Sequence, residues 1–197
     1  RGKEAELASA KATEIAAGDL AIMRQHTPLG LGHAVWCARD FIGNEPFAVI
    51  LPDDVILSKT PALKQMVDAY SKVGGNMVAV EEVPMEQVHR YGILDVDQDD
   101  GKIASAKGLV EKPNAEDAPS NLSIIGRYIL QPEIFDILDK RETGAGGEIQ
   151  LTDALRAQAE QGCVMAYKFK GRRFDCGSVP GFMEATNHCY DTFFKDA

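Results

Sequence analysis

The chain has 197 residues, 45% of them hydrophobic, a balance that suits one sizeable packed domain. A net charge of −9 argues against non-specific binding to nucleic acid or an anionic membrane, partners that demand a basic face, and no apolar run is long enough to span a bilayer or to follow a charged segment as a signal peptide. Cys37, Cys163, Cys176 and Cys189 make no CxxC pair, which argues against a disulfide framework or a zinc ribbon and leaves the cytoplasm as the expected location.

Arg1 is not an initiator residue, and the chain enters at once as a predicted helix that Gly18 terminates. Leu20 to Met23 is expected to be a strand. A loop with Pro28, Gly30 and Gly32 follows, and His33 to Phe41 has helical spacing. Strand, glycine-bearing loop and helix let a backbone approach a planar or anionic ligand closely, although two glycines in a loop also mark an ordinary turn. Gln25, five residues before Gly30, adds a side-chain amide whose donors and acceptor match the edge of a nucleobase. His33 reads as a capping or packing residue.

Phe47 to Leu51, FAVIL, is a short apolar run rich in β-branched residues, expected as a strand buried on both faces of a parallel sheet and stopped by Pro52. Asp53 and Asp54 then stand where open α/β sheets bind ligands, outside the carboxyl end of a strand. Asp175, in RRFDCGS, follows another predicted strand more than a hundred residues on. Such carboxylates could hold a hard cation such as Mg²⁺; two aspartates after a strand also read as a solvated turn. Pro61 to Val73 is an amphipathic helix ended by Gly74-Gly75, and Met77 to Val80 a strand. Tyr91 to Val96 and Ile103 to Val110 flank the turn dipeptide Asp100-Gly101 as a hairpin, which brings Gly92 beside Glu111 and Lys112. A glycine there lets a ligand press on the backbone while the carboxylate accepts hydroxyl hydrogen bonds and the ammonium meets a phosphate; as a strand exit, Glu-Lys-Pro is also ordinary surface. Ser120 to Leu130 is β-rich, a helix runs from Pro132 to about Lys140, a second precedes Gly162, Val164 to Phe169 is a strand, and a last helix spans Val179 to about Phe193. The alternation predicts a single α/β domain with a Rossmann-like mixed, mostly parallel sheet flanked by helices and carrying a β-hairpin insertion.

RQHTPLGLGHAV, FAVILPDDVIL, RYGILD, GLVEKP, SNLSIIGRYIL, GEIQLTDAL and RFDCGS together, from about residue 24 to 190, resemble the sugar-nucleotide pyrophosphorylases. The resemblance implies a nucleotidyltransferase fold, Mg²⁺ dependence, and conversion of UTP and glucose 1-phosphate to UDP-glucose and pyrophosphate. It implies Gln25 and Gly30 as the uracil-reading pair, Asp53 and Asp175 as metal ligands with Asp54 a second candidate, and Gly92 and Glu111 as glucose contacts. Lys112 is implied on the sugar phosphate and, with the two aspartates, as catalytic. A homodimer or homotetramer is the family's common state. The family's opening strand and GxGTRxxPxTxxxPK loop are not among these residues, so an N-terminal nucleotide-binding βα segment is expected to be missing from residues 1–197. A pyrophosphorylase of other specificity, for thymidine or another sugar, and a non-catalytic regulatory paralogue are the alternatives. Retention of Asp53, Asp175 and Lys112 favours the enzyme.

Overall fold

The computed structural model describes residues 2–195, so Arg1 lies outside it. The elements are α1 (Glu4–Lys11), α2 (Leu31–Cys37), α3 (Arg39–Ile42), β1 (Phe47–Ile50), β2 (Asp54–Leu57), α4 (Ala62–Val73), β3 (Asn76–Glu82), β4 (Gly92–Asp99), β5 (Ile103–Glu111), β6 (Leu122–Leu130), α5 (Ile134–Leu138), α6 (Leu151–Ala159), β7 (Val164–Lys168), β8 (Arg172–Asp175) and α7 (Val179–Phe193). Six strands form one sheet in the order β1-β6-β3-β7-β5-β4, and β2 pairs with β8 in a separate two-stranded ribbon.

The sheet's two faces follow from strand alternation. Val78 and Val80 of β3, with Tyr128 and Leu130 of β6, point into a cluster closed by α2, α5 and α6. Met77 and Ala79, with Ile125 and Ile129, point to the other face, where Met66 and Ala69 of α4 cover them. Helices on both faces of a mixed sheet, with β4 and β5 as the hairpin, match the expected class. The pairing does not: β3 with β7 is the one parallel pair among the described strands, and the others are antiparallel. β6 runs down between β1 and β3, and β5 runs back against β7, because the hairpin and the long return through β6 reverse the chain.

Three further expectations fail. Among the described strands β1 lies at the edge with β6 as its one partner, and its burial alternates, with Phe47 and Val49 packed on the core and Ile50 half exposed. The apolar run therefore covers one face, not two. Leu20 to Met23 forms no strand and its side chains are exposed, since no described strand lies beside it to take its backbone hydrogen bonds. The first helix stops at Lys11 and buries no residue, so nothing beyond local propensity extends it to Gly18.

Candidate active site

The β2–β8 ribbon sets Asp54 directly opposite Asp175, and the chain just outside that pair carries Asp53. The hairpin sets Gly92 directly opposite Glu111, with Lys112 next along, its amide donating to the Tyr91 carbonyl at 3.0 Å. These two constellations face each other across one cavity of about 390 Å³, whose lining also includes Tyr91, Gly126, Tyr128, Thr152 and Arg173. Residues far apart in sequence and read separately thus share one site.

At the hairpin wall, a Cβ on Gly92 would come within 2.8 Å of the Thr152 methyl and 3.2 Å of Glu111 Oε2, so only glycine keeps this wall open. Glu111 is held from two sides. Thr152 Oγ1 donates to its Oε2 at 2.8 Å, and Lys112 Nζ lies 3.5 Å from Oε1. Lys112 has a positive φ of 48°, which turns its ammonium at the strand exit while leaving it more than half exposed.

At the other wall, Asp53 and Asp175 converge over Gly177: a side chain built there would meet Asp53 Oδ2 at 3.0 Å and Asp175 Oδ1 at 3.2 Å. Arg90 and the Tyr91 hydroxyl, at 3.3 Å, both reach Asp175 Oδ2. Among the described residues no group of three or more His, Cys, Asp or Glu gathers as a complete metal cage. Two carboxylates over a residue without a side chain nevertheless fit a hard divalent cation that completes its shell with water and substrate phosphates.

Asp54, the second candidate, also lines the cavity, but both of its carboxylate oxygens are already engaged. Its Oδ2 accepts from the Gly126 amide at 2.7 Å and its Oδ1 from Arg173 Nε, both inside the protein, where Asp54 is 8% exposed. Burial works against the Arg173 charge, but the Asp54 charge and hydrogen bonding to the Tyr91 and Asp54 side chains more than compensate, and the guanidinium is held above its ordinary range. Burial, with Asp54 and Glu111 next in order, pushes the Tyr128 phenol above its ordinary range, so it meets the cavity as a neutral hydroxyl.

Gln25 and Gly30 do not line the cavity. They bind each other, Gln25 Nε2 donating to the Gly30 carbonyl at 3.1 Å with His33 Nδ1 at 2.9 Å. Gly30, at φ 106°, packs against the backbone of Ile149, whose neighbours Glu148 and Gln150 are on the cavity wall, so the pair sits beside the site. Arg90, Thr152 and Arg173 were not singled out from sequence. Thr152 and Arg173 fall inside or directly beside the motifs GEIQLTDAL and RFDCGS, but nothing local in those strings says that they face Glu111 and Asp54.

The family model for nucleotidyl transferases matches residues 3–192. The chain belongs to the nucleotidyl transferase family. Over 89% of its length this nucleotidyl transferase is 52% identical to a UTP–glucose-1-phosphate uridylyltransferase of Pseudomonas aeruginosa, of which it spans 63%. A crystal structure of UDP-glucose pyrophosphorylase complexed with UDP-glucose superposes with a TM-score of 0.84 at 50% identity, covering 87% of this chain and 66% of that one. A UTP-bound enzyme from Acinetobacter baumannii gives a TM-score of 0.79 at 38% identity, covering 94% and 66%. The chain thus spans just under two thirds of the relatives it matches.

Proposed function

We propose that this protein joins UTP and glucose 1-phosphate into UDP-glucose and pyrophosphate. The observation that carries the reading is the single cavity with Gly92, Glu111 and Lys112 on one wall and Asp53 and Asp175 on the other. The names of the similar proteins, and the UTP and UDP-glucose bound to two of them, point the same way.

In this reading a phosphate oxygen of glucose 1-phosphate attacks the α-phosphorus of UTP. The new P–O bond forms as the bond to the bridging oxygen breaks and pyrophosphate leaves with the electron pair. No side-chain nucleophile takes part, so positioning and charge stabilisation must supply the rate. Glu111, fixed by Thr152, accepts hydrogen bonds from sugar hydroxyls, and Gly92 lets the ring lie against the β4 backbone. Lys112 brings its ammonium between the two anions and offsets their repulsion. Asp53 and Asp175 would hold Mg²⁺, which when bound supplies positive charge to the phosphate oxygens. Arg90 and Tyr91, both on Asp175 Oδ2, keep that carboxylate aimed. Gln25 and Gly30, held to each other beside the Glu148–Gln150 wall, are the proposed uracil-reading pair.

Pyrophosphate release from UTP and from dTTP with glucose 1-phosphate tests the assignment. We expect UTP to be preferred by at least about tenfold in kcat/KM, a difference of about 1.4 kcal/mol. Preference for dTTP would assign the alternative nucleotide, and binding without turnover the regulatory paralogue. Glu111→Ala is expected to raise KM for glucose 1-phosphate far more than KM for UTP, whereas Lys112→Ala lowers kcat. Equal changes in both KM values would remove Glu111 from the sugar site.

A further inference from the structure

A second cavity, of about 660 Å³, lies at the far end of the β2–β8 ribbon. The ribbon's register runs from Asp54 opposite Asp175 at the candidate active site to Leu57 opposite Arg172, and the loops just beyond, around Ser58 and Lys170, form the cavity rim with α4 and the start of β5. Four lysines, Lys59, Lys72, Lys102 and Lys170, line it. The one carboxylate in the lining, Asp68, is already paired with Lys64 along α4. Among the described residues none of the four lysines has a carboxylate partner, and the Lys102 ammonium lies 5.5 Å from the Tyr167 ring.

In a chain of net charge −9, four lysines around one concavity, against the single lining carboxylate Asp68 and the nearby Asp100, leave a net positive potential there that a bound anion would relieve. The rim is also fixed in shape. Gln65 Nε2 donates to the carbonyls of Thr60 and Lys170, each at 2.7 Å, while its Oε1 accepts from the Lys170 amide at 2.9 Å. One half-buried side-chain amide therefore clamps both loops that carry Lys59 and Lys170. The floor is apolar, with Tyr167 and Ile103, and the volume is that of a small-molecule site.

We propose that this cavity binds a small, multiply charged phosphate compound at a site separate from the candidate active site. Concave walls and separate ammonium groups suit a compact polyphosphate or phosphate ester, whereas a nucleic acid would need an extended basic track. Residue-resolved amide spectra of the purified protein, titrated with inorganic triphosphate and separately with ADP, test this. The amides of Lys59, Thr60, Lys170 and Gly171 are expected to shift and saturate with either probe. A tighter fit for ADP would put its base on the Tyr167 and Ile103 floor, and equal affinity would show that phosphate charge alone is read. Lys59→Gln with Lys170→Gln should weaken that saturation at least tenfold, while Lys112→Ala leaves it unchanged. The proposal falls if those amides do not move, if the double variant keeps its affinity within twofold, or if a single-stranded oligonucleotide saturates them at lower concentration than triphosphate.

Discussion

Asp53 and Asp54 are adjacent in the chain and do opposite work. Asp53 faces the open cavity beside Asp175, whereas Asp54 turns inward to the Gly126 amide and Arg173. Replacing either cavity carboxylate, Asp53→Asn or Asp175→Asn, is expected to cut kcat at least about a hundredfold, the scale of losing one preorganised charge-stabilising group, with the unfolding midpoint nearly unchanged. Near-normal kcat in either variant would show that its carboxylate is not a ligand. Asp54→Ala should instead cost about 3–5 kcal/mol of stability, because the Arg173 charge, with only 7% of its side chain exposed, is left without its partner. Chemical denaturation measures this, and a loss under 1 kcal/mol would mean that Glu81, 3.5 Å away, is enough to hold Arg173.

Between elements, the hairpin tip is tied to the main sheet by a charge pair as well as by strand pairing. Lys168, at the end of β7, donates to Asp99, at the end of β4, at 2.7 Å. That hydrogen bond is the main reason the Asp99 carboxyl is held below its ordinary value of 3.8. A carboxyl lowered in the folded state stabilises above its unfolded value and loses that contribution as pH falls through the folded one. Asp99→Asn should therefore lower the urea midpoint at pH 7, and the gap to the parent protein should close as pH drops below 3.8. A gap that stays constant to pH 2 would show that packing, not ionisation, links the two strands. The Lys168 side gives the mirror case: its ammonium is raised by the same bond, so its contribution is lost only as pH rises above the ordinary lysine value of 10.5.

For the whole molecule, stability should be layered. β3 and β6 are buried nearly throughout and lie inside the six-stranded sheet, while among the described strands β2 and β8 pair only with each other and are largely half buried. Hydrogen exchange should release the ribbon amides of Val55 to Leu57 well before those of Met77 to Val80 and Ile125 to Ile129, since the former need only local opening. Simultaneous release would make the ribbon part of the cooperative core. This layering marks the border of what could be read from sequence. The hairpin, its Asp100-Gly101 turn and the meeting of Gly92 with Glu111 were legible, because turn residues and alternation over twenty positions fix an antiparallel register locally. So were α4, α7 and the strands β1, β3, β6 and β7, from apolar spacing and flanking proline and glycine, whereas β2 and β8 were not. The one-sided burial of FAVIL, the sheet's largely antiparallel pairing, the inward turn of Asp54 and the joining of β2 to β8 were decided by the tertiary structure alone. Pairing partners more than a hundred residues apart leave no mark in local periodicity, and whether a carboxylate meets solvent or a buried guanidinium depends on which distant strand is folded against it.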